Sequence, residues 1–310
     1  MEKTAKIFVA GGQSGLVGTA IVRNLSAKGY TNILTRTRQE VNLLDPKSVE
    51  AFFEKERPEY VFLAAAKVGG ILANSTQKAE FIYDNIQIQT NVMYNAWKYK
   101  TKKLLFLGSS CIYPKLAPQP IKEEYFMTGP LEETNDAYAI AKIAGIYMGK
   151  SFNEQYKTNF ISVMQTNLYG PNDNYDLNTS HVLPAFIRKF HEAKVRGDAA
   201  VTLWGDGSPR REFLYVDDMA DACVFLMENY NSSEIINIGC GEDLPIKELA
   251  RRVKDIVGYT GNVEWDTTKP NGTPRKQLDV TKLFNLGWRP TVALEDGIKK
   301  EYEWFVKNAA

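Results

Sequence analysis

The sequence predicts an α/β chain: a doubly wound parallel sheet followed by a smaller, mixed α/β region. Three observations carry that expectation. The first 170 residues alternate short apolar or β-branched runs with helical stretches, the pattern that strand–helix–strand crossovers produce. Those runs are nearly continuous in apolar residues, as strands are when helices cover both faces of a sheet. Past about Gly170 the texture changes, and Asn-, Asp- and Pro-rich turns separate shorter, less regular segments. We therefore expect a first domain over 1–168 and a second over 169–310, with a return segment near 200–235 crossing back to the first.

Each element has its own reason. Lys6–Ala10 reads as the first strand and runs into a glycine turn. Gly15–Lys28 follows as a helix, with Leu16, Ala20, Ile21 and Leu25 on one side. Thr31–Arg36 is the second strand. Asp45-Pro46 opens the next helix, because a carboxylate accepts from free first-turn amides and proline suits the first helical position. Tyr60–Ala65, a long helix from Lys78 to Tyr99 and the strand Lys103–Leu107 complete the alternation. In the second part Phe186–Lys194 has an amphipathic pattern, while Pro171–Thr179, Gly205–Pro209 and Lys269–Pro274 are turn-rich.

Composition excludes several classes. The 310 residues are about twice a usual domain length, and 44% apolar with 24% charged is an ordinary globular balance. Thirty-eight Lys and Arg against 37 Asp and Glu leave a net charge of +1, so no nucleic-acid-binding surface is expected. Cys111, Cys223 and Cys240 have neither disulfide-framework nor metal-site spacing. No run approaches the ~20 apolar residues of a membrane span, and Met1–Lys6 leads straight into Ile7–Ala10 without an export signal. A cytoplasmic protein without a metal is expected.

The chemistry begins at Gly12-x-x-Gly15-x-x-Gly18, at the first strand–helix junction. Glycines there permit a tight turn and let a pyrophosphate approach the helix-terminal amides. Taken alone the triplet is an ordinary turn; at the first βα junction it predicts a Rossmann-type dinucleotide site. An acidic residue at the end of the second strand would select NAD. Thr35-Arg36-Thr37-Arg38 stands there instead, and guanidinium groups suit the 2′-phosphate of NADP(H). Which arginine serves stays open, and both read equally as solvated surface. Asn42 and Leu43 fall near the adenine.

Tyr138 and Lys142 stand four apart, so on a helix an ammonium beside the phenol is expected to lower its pKa. Tyr94/Lys98 and Tyr99/Lys103 have the same spacing. Tyr138 is favoured by context: it follows the strand Leu104–Gly108, whose carboxyl end carries Ser109-Ser110, where open α/β sheets bind ligands.

Taken together, the glycine turn, Ser109, Tyr138, Lys142 and the C-terminal region resemble the extended short-chain dehydrogenase/reductase family. Within it, Ala65–Ile71, Gly108–Lys115, Tyr138–Lys142, Thr166–Pro171, Ser180–Val182, Arg211–Phe213 and Gly272–Lys276 resemble the GDP-L-fucose synthase family. The likeness runs in order from about Lys6 to Phe305. It implies conversion of GDP-4-keto-6-deoxy-D-mannose to GDP-L-fucose, by epimerisation at C3 and C5 and NADPH reduction at C4. It implies that Cys111 and His181 exchange the C3 and C5 protons, although an unpaired cysteine or a lone histidine is by itself more often structural. Tyr138 gives the proton to O4, Lys142 tunes that phenol and touches the nicotinamide ribose, and Ser109 steadies the oxygen. By the same likeness Gln13, Ser14, Leu16, Val17, Leu107, Gly108, Ser110, Gln165, Thr166, Asn167 and Leu168 border the cofactor. Lys189, Trp204, Arg211, Asn271 and Lys276 take the GDP-sugar. A homodimer packed through Asp84–Tyr99 and Ala137–Phe152 is implied as well.

Two departures stand out. Gln13 and Ser14 replace a basic residue inside the glycine turn, and Asn271 stands where an acidic residue is common. The rival expectations are another NADP-dependent nucleotide-sugar reductase or epimerase of this family, or an NADP-binding sensor. A dehydratase would want an acidic pair where Cys111-Ile112 stands, and an NAD-retaining 4-epimerase an acid at Arg36. A sensor has no need of Tyr138 and Lys142.

Overall fold

The computed structural model describes residues 1–269 and 271–310; Pro270, in the turn-rich run Lys269–Pro274, lies outside the described residues. The first part runs β1 (Ile7–Ala10), α1 (Leu16–Ala27), β2 (Ile33–Leu34), α2 (Pro46–Glu56), β3 (Tyr60–Leu63), α3 (Ile71–Thr76), α4 (Lys78–Lys98), β4 (Lys103–Leu107), α5 (Asp136–Tyr156) and β5 (Phe160–Gln165). It continues with β6 (Asn167–Tyr169), α6 (Val182–Arg196), β7 (Ala200–Trp204), β8 (Arg210–Tyr215), α7 (Val216–Asn229) and β9 (Ile236–Ile238). The chain ends with β10 (Asp243–Pro245), α8 (Ile246–Val257), β11 (Asn262–Asp266), β12 (Arg275–Lys276), α9 (Thr281–Asn285) and α10 (Leu294–Asn308).

The main sheet has six parallel strands in the order β2-β1-β3-β4-β5-β9. Alternation along β1 shows why its strand reads as continuously apolar. Ile7 and Val9 join the core under α1 and α7, while Phe8 and Ala10 join the opposite core under α2, α4 and α5. The order reverses at β1, between β2 and β3, and the crevice outside that point is where such sheets bind ligands. Asp45 caps α2 as expected, accepting from Lys47 N at 3.0 Å ahead of Pro46.

Strand β2 is shorter than the expected Thr31–Arg36. Only Ile33 and Leu34 pair with β1. Past them Thr35 Oγ1 accepts from Gln13 Nε2 at 2.5 Å, and Arg36 turns to Glu56, so this stretch bonds side chain to side chain rather than in the ladder.

In the second region β8 pairs in parallel with β6 and β12 and antiparallel with β10, and β7 pairs with β11. Its own core gathers Tyr169, Phe190, Phe213, Leu249 and Phe305. From β8 the chain returns: α7 packs on α1 through Arg23–Asp217 at 2.5 Å, and β9 adds to the edge of β5. The loop after β6 is also tied back, Asn172 Nδ2 donating to Thr19 Oγ1 at 3.3 Å. Among the described residues no helix is long and apolar enough to cross a membrane.

Candidate active site

A cleft of about 1340 Å³ opens between the two regions along the carboxyl ends of the main sheet. That exceeds the ~300–1,000 Å³ of a single small-molecule site, so it has room for two ligands end to end.

At one end lies the glycine turn. Gly15 has φ of 81° and makes no side-chain cap, which leaves the first-turn amides of α1 directed at the cleft. Gly18 is required for a different reason: a Cβ there would come within 2.0 Å of Gly11 O, so helix and turn could not close. Gly12, assigned above to the cofactor, does not line the cleft. It is buried, and a Cβ there would sit 2.7 Å from Thr35 Cγ2. Gly108 is likewise a packing glycine, pressed on Met164. These two glycines shape the site through packing, beside the lining residues Gly11 and Ser109. Gln13, Ser14, Leu16 and Val17 do border it, with Asn42 and Leu43 further along.

Both arginines line this end but are not equivalent. Arg36 is held by Glu56 at 3.1 Å, donates to Thr35 O at 2.7 Å and lies over the Phe52 ring. Arg38 has no ion pair or hydrogen-bond partner among the described residues.

In the middle of the cleft, β4 delivers Ser109 and a single 3-10 turn, Ser110–Ile112. Ser109 Oγ accepts from Cys111 N at 3.2 Å, a bend that keeps hydroxyl and thiol on the cleft side. Ser110 also borders the cavity, as does Leu107 below it. Helix α5 brings Tyr138, whose ring meets Phe81 edge-on, and Lys142 one turn further.

The expected effect of Lys142 on the phenol is not what the structure has. Its ammonium is buried, donates to Leu107 O at 2.8 Å and lies 5.7 Å from the Tyr138 ring centre. Burial pushes Lys142 down to about 7. The Tyr138 phenol is raised, first by burial and then by the Cys111 charge, with the Ser109 hydrogen bond opposing. An amine that is itself desolvated is a weak source of positive charge for its neighbour.

The same walls carry Gln165, Thr166, Asn167 and Leu168. Thr166 and Asn167 both donate to Glu212 O, at 3.2 and 2.8 Å. Gln165 donates to Gly108 O at 3.0 Å, and its Oε1 is buried with no partner among the described residues.

From the second region comes His181, the residue just ahead of α6, where the turn-rich run after β6 ends. Solvent reaches its ring through the cleft, yet protein surrounds it closely enough that desolvation, and then the Lys276 charge, lower its pKa. Lys276 lies beside Arg211, since β12 and β8 pair Lys276 with Arg211. Its ammonium reaches Cys111 Sγ at 3.5 Å, so it links the wall that carries Arg211 to the turn that carries Cys111. Burial lowers the Arg211 pKa, with Cys111 and Glu132 acting against that.

Trp204 is not core: half its surface is open at the cleft mouth, with the Lys189 and Lys269 ammoniums 6.0 and 5.6 Å from its ring centre. Asn271 Oδ1 accepts from Asp206 N at 3.0 Å and so clasps the turn that follows Trp204. The sequence reading missed Asn135, whose amide donates to Cys111 Sγ at 3.4 Å. It also missed the apolar lip of Val68, Ile71 and Leu72. Among the described residues no group of three or more metal-ligating side chains occurs.

Residues 7–239 match the NAD dependent epimerase/dehydratase family. The chain is 57% identical to GDP-L-fucose synthase 1 of Arabidopsis thaliana over 99% of its own length and 95% of that protein. Among solved structures it superposes with a TM-score of 0.94 on a GDP-6-OMe-4-keto-L-xylo-heptose reductase from C. jejuni, 40% identical and covering 99% of both chains. The TM-score is 0.92 to a GDP-L-fucose synthetase from Naegleria fowleri bound to NADP, 31% identical over 99% of this chain and 96% of that one.

Proposed function

This chain belongs to the NAD dependent epimerase/dehydratase family and, within it, to the GDP-L-fucose synthases, and on that premise we propose that it converts GDP-4-keto-6-deoxy-D-mannose to GDP-L-fucose with NADPH. One observation carries the reading: Cys111, His181, Ser109 and Tyr138, drawn from both halves of the chain, face a single cleft. A reductase alone needs only the last two.

The ketone at C4 acidifies the protons on C3 and C5, because the electron pair left behind spreads into an enolate. Inversion removes a proton on one face and returns one on the other, and a thiol and an imidazole are the groups suited to that exchange near neutral pH. Cys111 takes the proton and His181 returns it. Ser109 and Tyr138 hold the oxygen on C4, where charge develops, and Tyr138 gives it a proton when the alcohol forms. NADPH, when bound, supplies hydride to C4.

The residues fit that cofactor. The uncapped first turn of α1 suits the pyrophosphate, and Gln165 Oε1 suits the nicotinamide amide. Arg38 takes the 2′-phosphate, since Arg36 is already engaged by Glu56. At the other end Arg211 and Lys189 take the diphosphate and Trp204 offers an open ring face. The GDP-sugar is one ligand and NADPH the other, which accounts for the size of the cleft.

The same proposal divides the chain at 1–168 and 169–310 with a return near 200–235, and places it in the cytoplasm as a homodimer. Tyr83, Ile86, Tyr94, Ile140 and Tyr147 support the last point: they are exposed on α4 and α5, which pack side by side.

The test is loss of NADPH absorbance with GDP- and dTDP-linked 4-keto-6-deoxy sugars, with the product's mass and C3/C5 configuration determined. Turnover of the GDP-sugar alone, with inversion at both carbons, is expected. Reduction without inversion favours the rival reading, a plain 4-reductase.

A further inference from the structure

Cys111 sits at the meeting point of two side chains that reach it from opposite walls. Asn135 Nδ2 donates to its sulfur at 3.4 Å and Lys276 Nζ at 3.5 Å. A neutral thiol is a weak acceptor, whereas a thiolate welcomes two N–H donors, one of them cationic. Asn135 has no evident alternative reason to be there. Asn135 is the N-cap residue of α5, a position where asparagine normally bonds a first-turn amide, yet it makes no such cap. Its amide is turned to the sulfur instead. Lys276 is one residue from Arg275, which does pair with a carboxylate, Asp243; Lys276 has no ion pair among the described residues. Its charge also lowers the His181 pKa, after the larger effect of desolvation.

We propose that Asn135 and Lys276 are positioning residues that together hold the Cys111 sulfur as a thiolate facing the sugar. For the consequence in catalysis this rests on the reading of the previous subsection; the clamp on the sulfur does not. In the proton transfer, the thiolate forms an S–H bond with the proton of C3 or C5. The C–H pair passes into the enolate, and the Lys276 ammonium and Asn135 amide stay unchanged. The two donors come from separate regions, α5 of the first and β12 of the second, so the sulfur is fully clamped only when the cleft is assembled.

The experiment is alkylation of Cys111 in the intact enzyme by iodoacetamide, an uncharged reagent that reacts with the thiolate. It is followed by peptide mass, with buried Cys223 as internal control. Lys276→Met is expected to slow alkylation at neutral pH on the order of 10-fold, and Lys276→Arg to restore most of the rate. Asn135→Ala removes the donor without adding charge and, since Asn135 makes no cap, without removing one, and is expected to slow it as well. NADPH binding, read by fluorescence, should be unchanged in all three and reports that each is folded. Unchanged alkylation in folded Lys276→Met or Asn135→Ala would overturn the proposal. Should alkylation slow while solvent deuterium still enters C3 and C5 at the parent rate, the clamp stands and the proton-exchange role of Cys111 falls. Should Lys276→Met not fold, Asn135→Ala and Lys276→Arg still decide: Asn135→Ala must slow alkylation and Lys276→Arg must not.

Discussion

The residues proposed for reduction and those proposed for proton exchange share one cleft but are built differently. Ser109, Tyr138 and Lys142 all come from β4, the turn after it and α5, elements that pack on each other within the first region. Cys111 belongs to the same turn, but its counterparts His181 and Lys276 come from the second region, 70 and 165 positions away along the chain. The proposed reduction geometry is therefore set within one layer, whereas the proposed proton exchange draws on two. Their chemistry should be separable by substitution.

The sharpest way to break the comparison is Tyr138→Phe. Loss of the proton donor to O4 is expected to cut reduction by ~10²–10⁴-fold, the usual range for a general acid, while solvent deuterium still enters C3 and C5. Equal loss of both activities would show that the two centres are one. Cys111→Ser is the mirror experiment. Exchange at C3 and C5 should fall ~10²-fold or more and NADPH affinity should not change. Nuclear magnetic resonance of the sugar in deuterated buffer reads the first, fluorescence titration the second.

A smaller effect tests the first region by itself. Arg38→Gln is expected to weaken NADPH binding by ~10- to 100-fold, the worth of a lost charge-assisted contact, and to leave NADH binding nearly unaltered. Arg36→Gln should matter less, because that guanidinium is already bound by Glu56. A larger loss for Arg36 would reverse the assignment.

The smallest effect probes the second region. Asp173, in the loop after β6 that lines the cleft, is half-buried, accepts from Asn174 N at 2.7 Å and leaves a buried Oδ2 without a partner among the described residues. Burial raises its pKa to about 7. The folded state then holds this proton more tightly than the unfolded chain, whose Asp titrates near 3.9. Its contribution to stability is complete below about pH 4 and is lost as pH rises through about 7. Asp173→Asn should remove that loss and raise Tm at pH 8 by about 2–4 °C, with little change at pH 4. A parallel fall of both proteins with pH would refute it.

How much of this was legible before the structure follows from range. The glycine turn was readable because Gly15 and Gly18 answer to local constraints, a positive φ and a close contact with the next-door turn. Tyr138 was readable because a strand end and a helix spacing single it out. The packing of Gly12 on Thr35 and of Gly108 on Met164 was not readable, since a glycine that admits a ligand and one that admits a side chain look alike in sequence. The tuning of Tyr138 by Lys142 failed for a related reason: spacing gives the distance between two groups but not how much water reaches them. Asn135 was invisible because its signal is a cap it does not make. Lys276 at Cys111 depends on how β12 docks beside β8, which no local pattern contains.

The path of the chain after β8 has one more consequence. Since α7 and β9 finish the first sheet from within the later half of the sequence, the second region is threaded through the first and not strung behind it. Grafting the second region between relatives would have to leave with the recipient both 216–238 and the Leu278–Trp288 stretch, which packs into the cores on the two faces of the main sheet. A fragment ending near 168 would expose the bare flank of β5 and be prone to self-association.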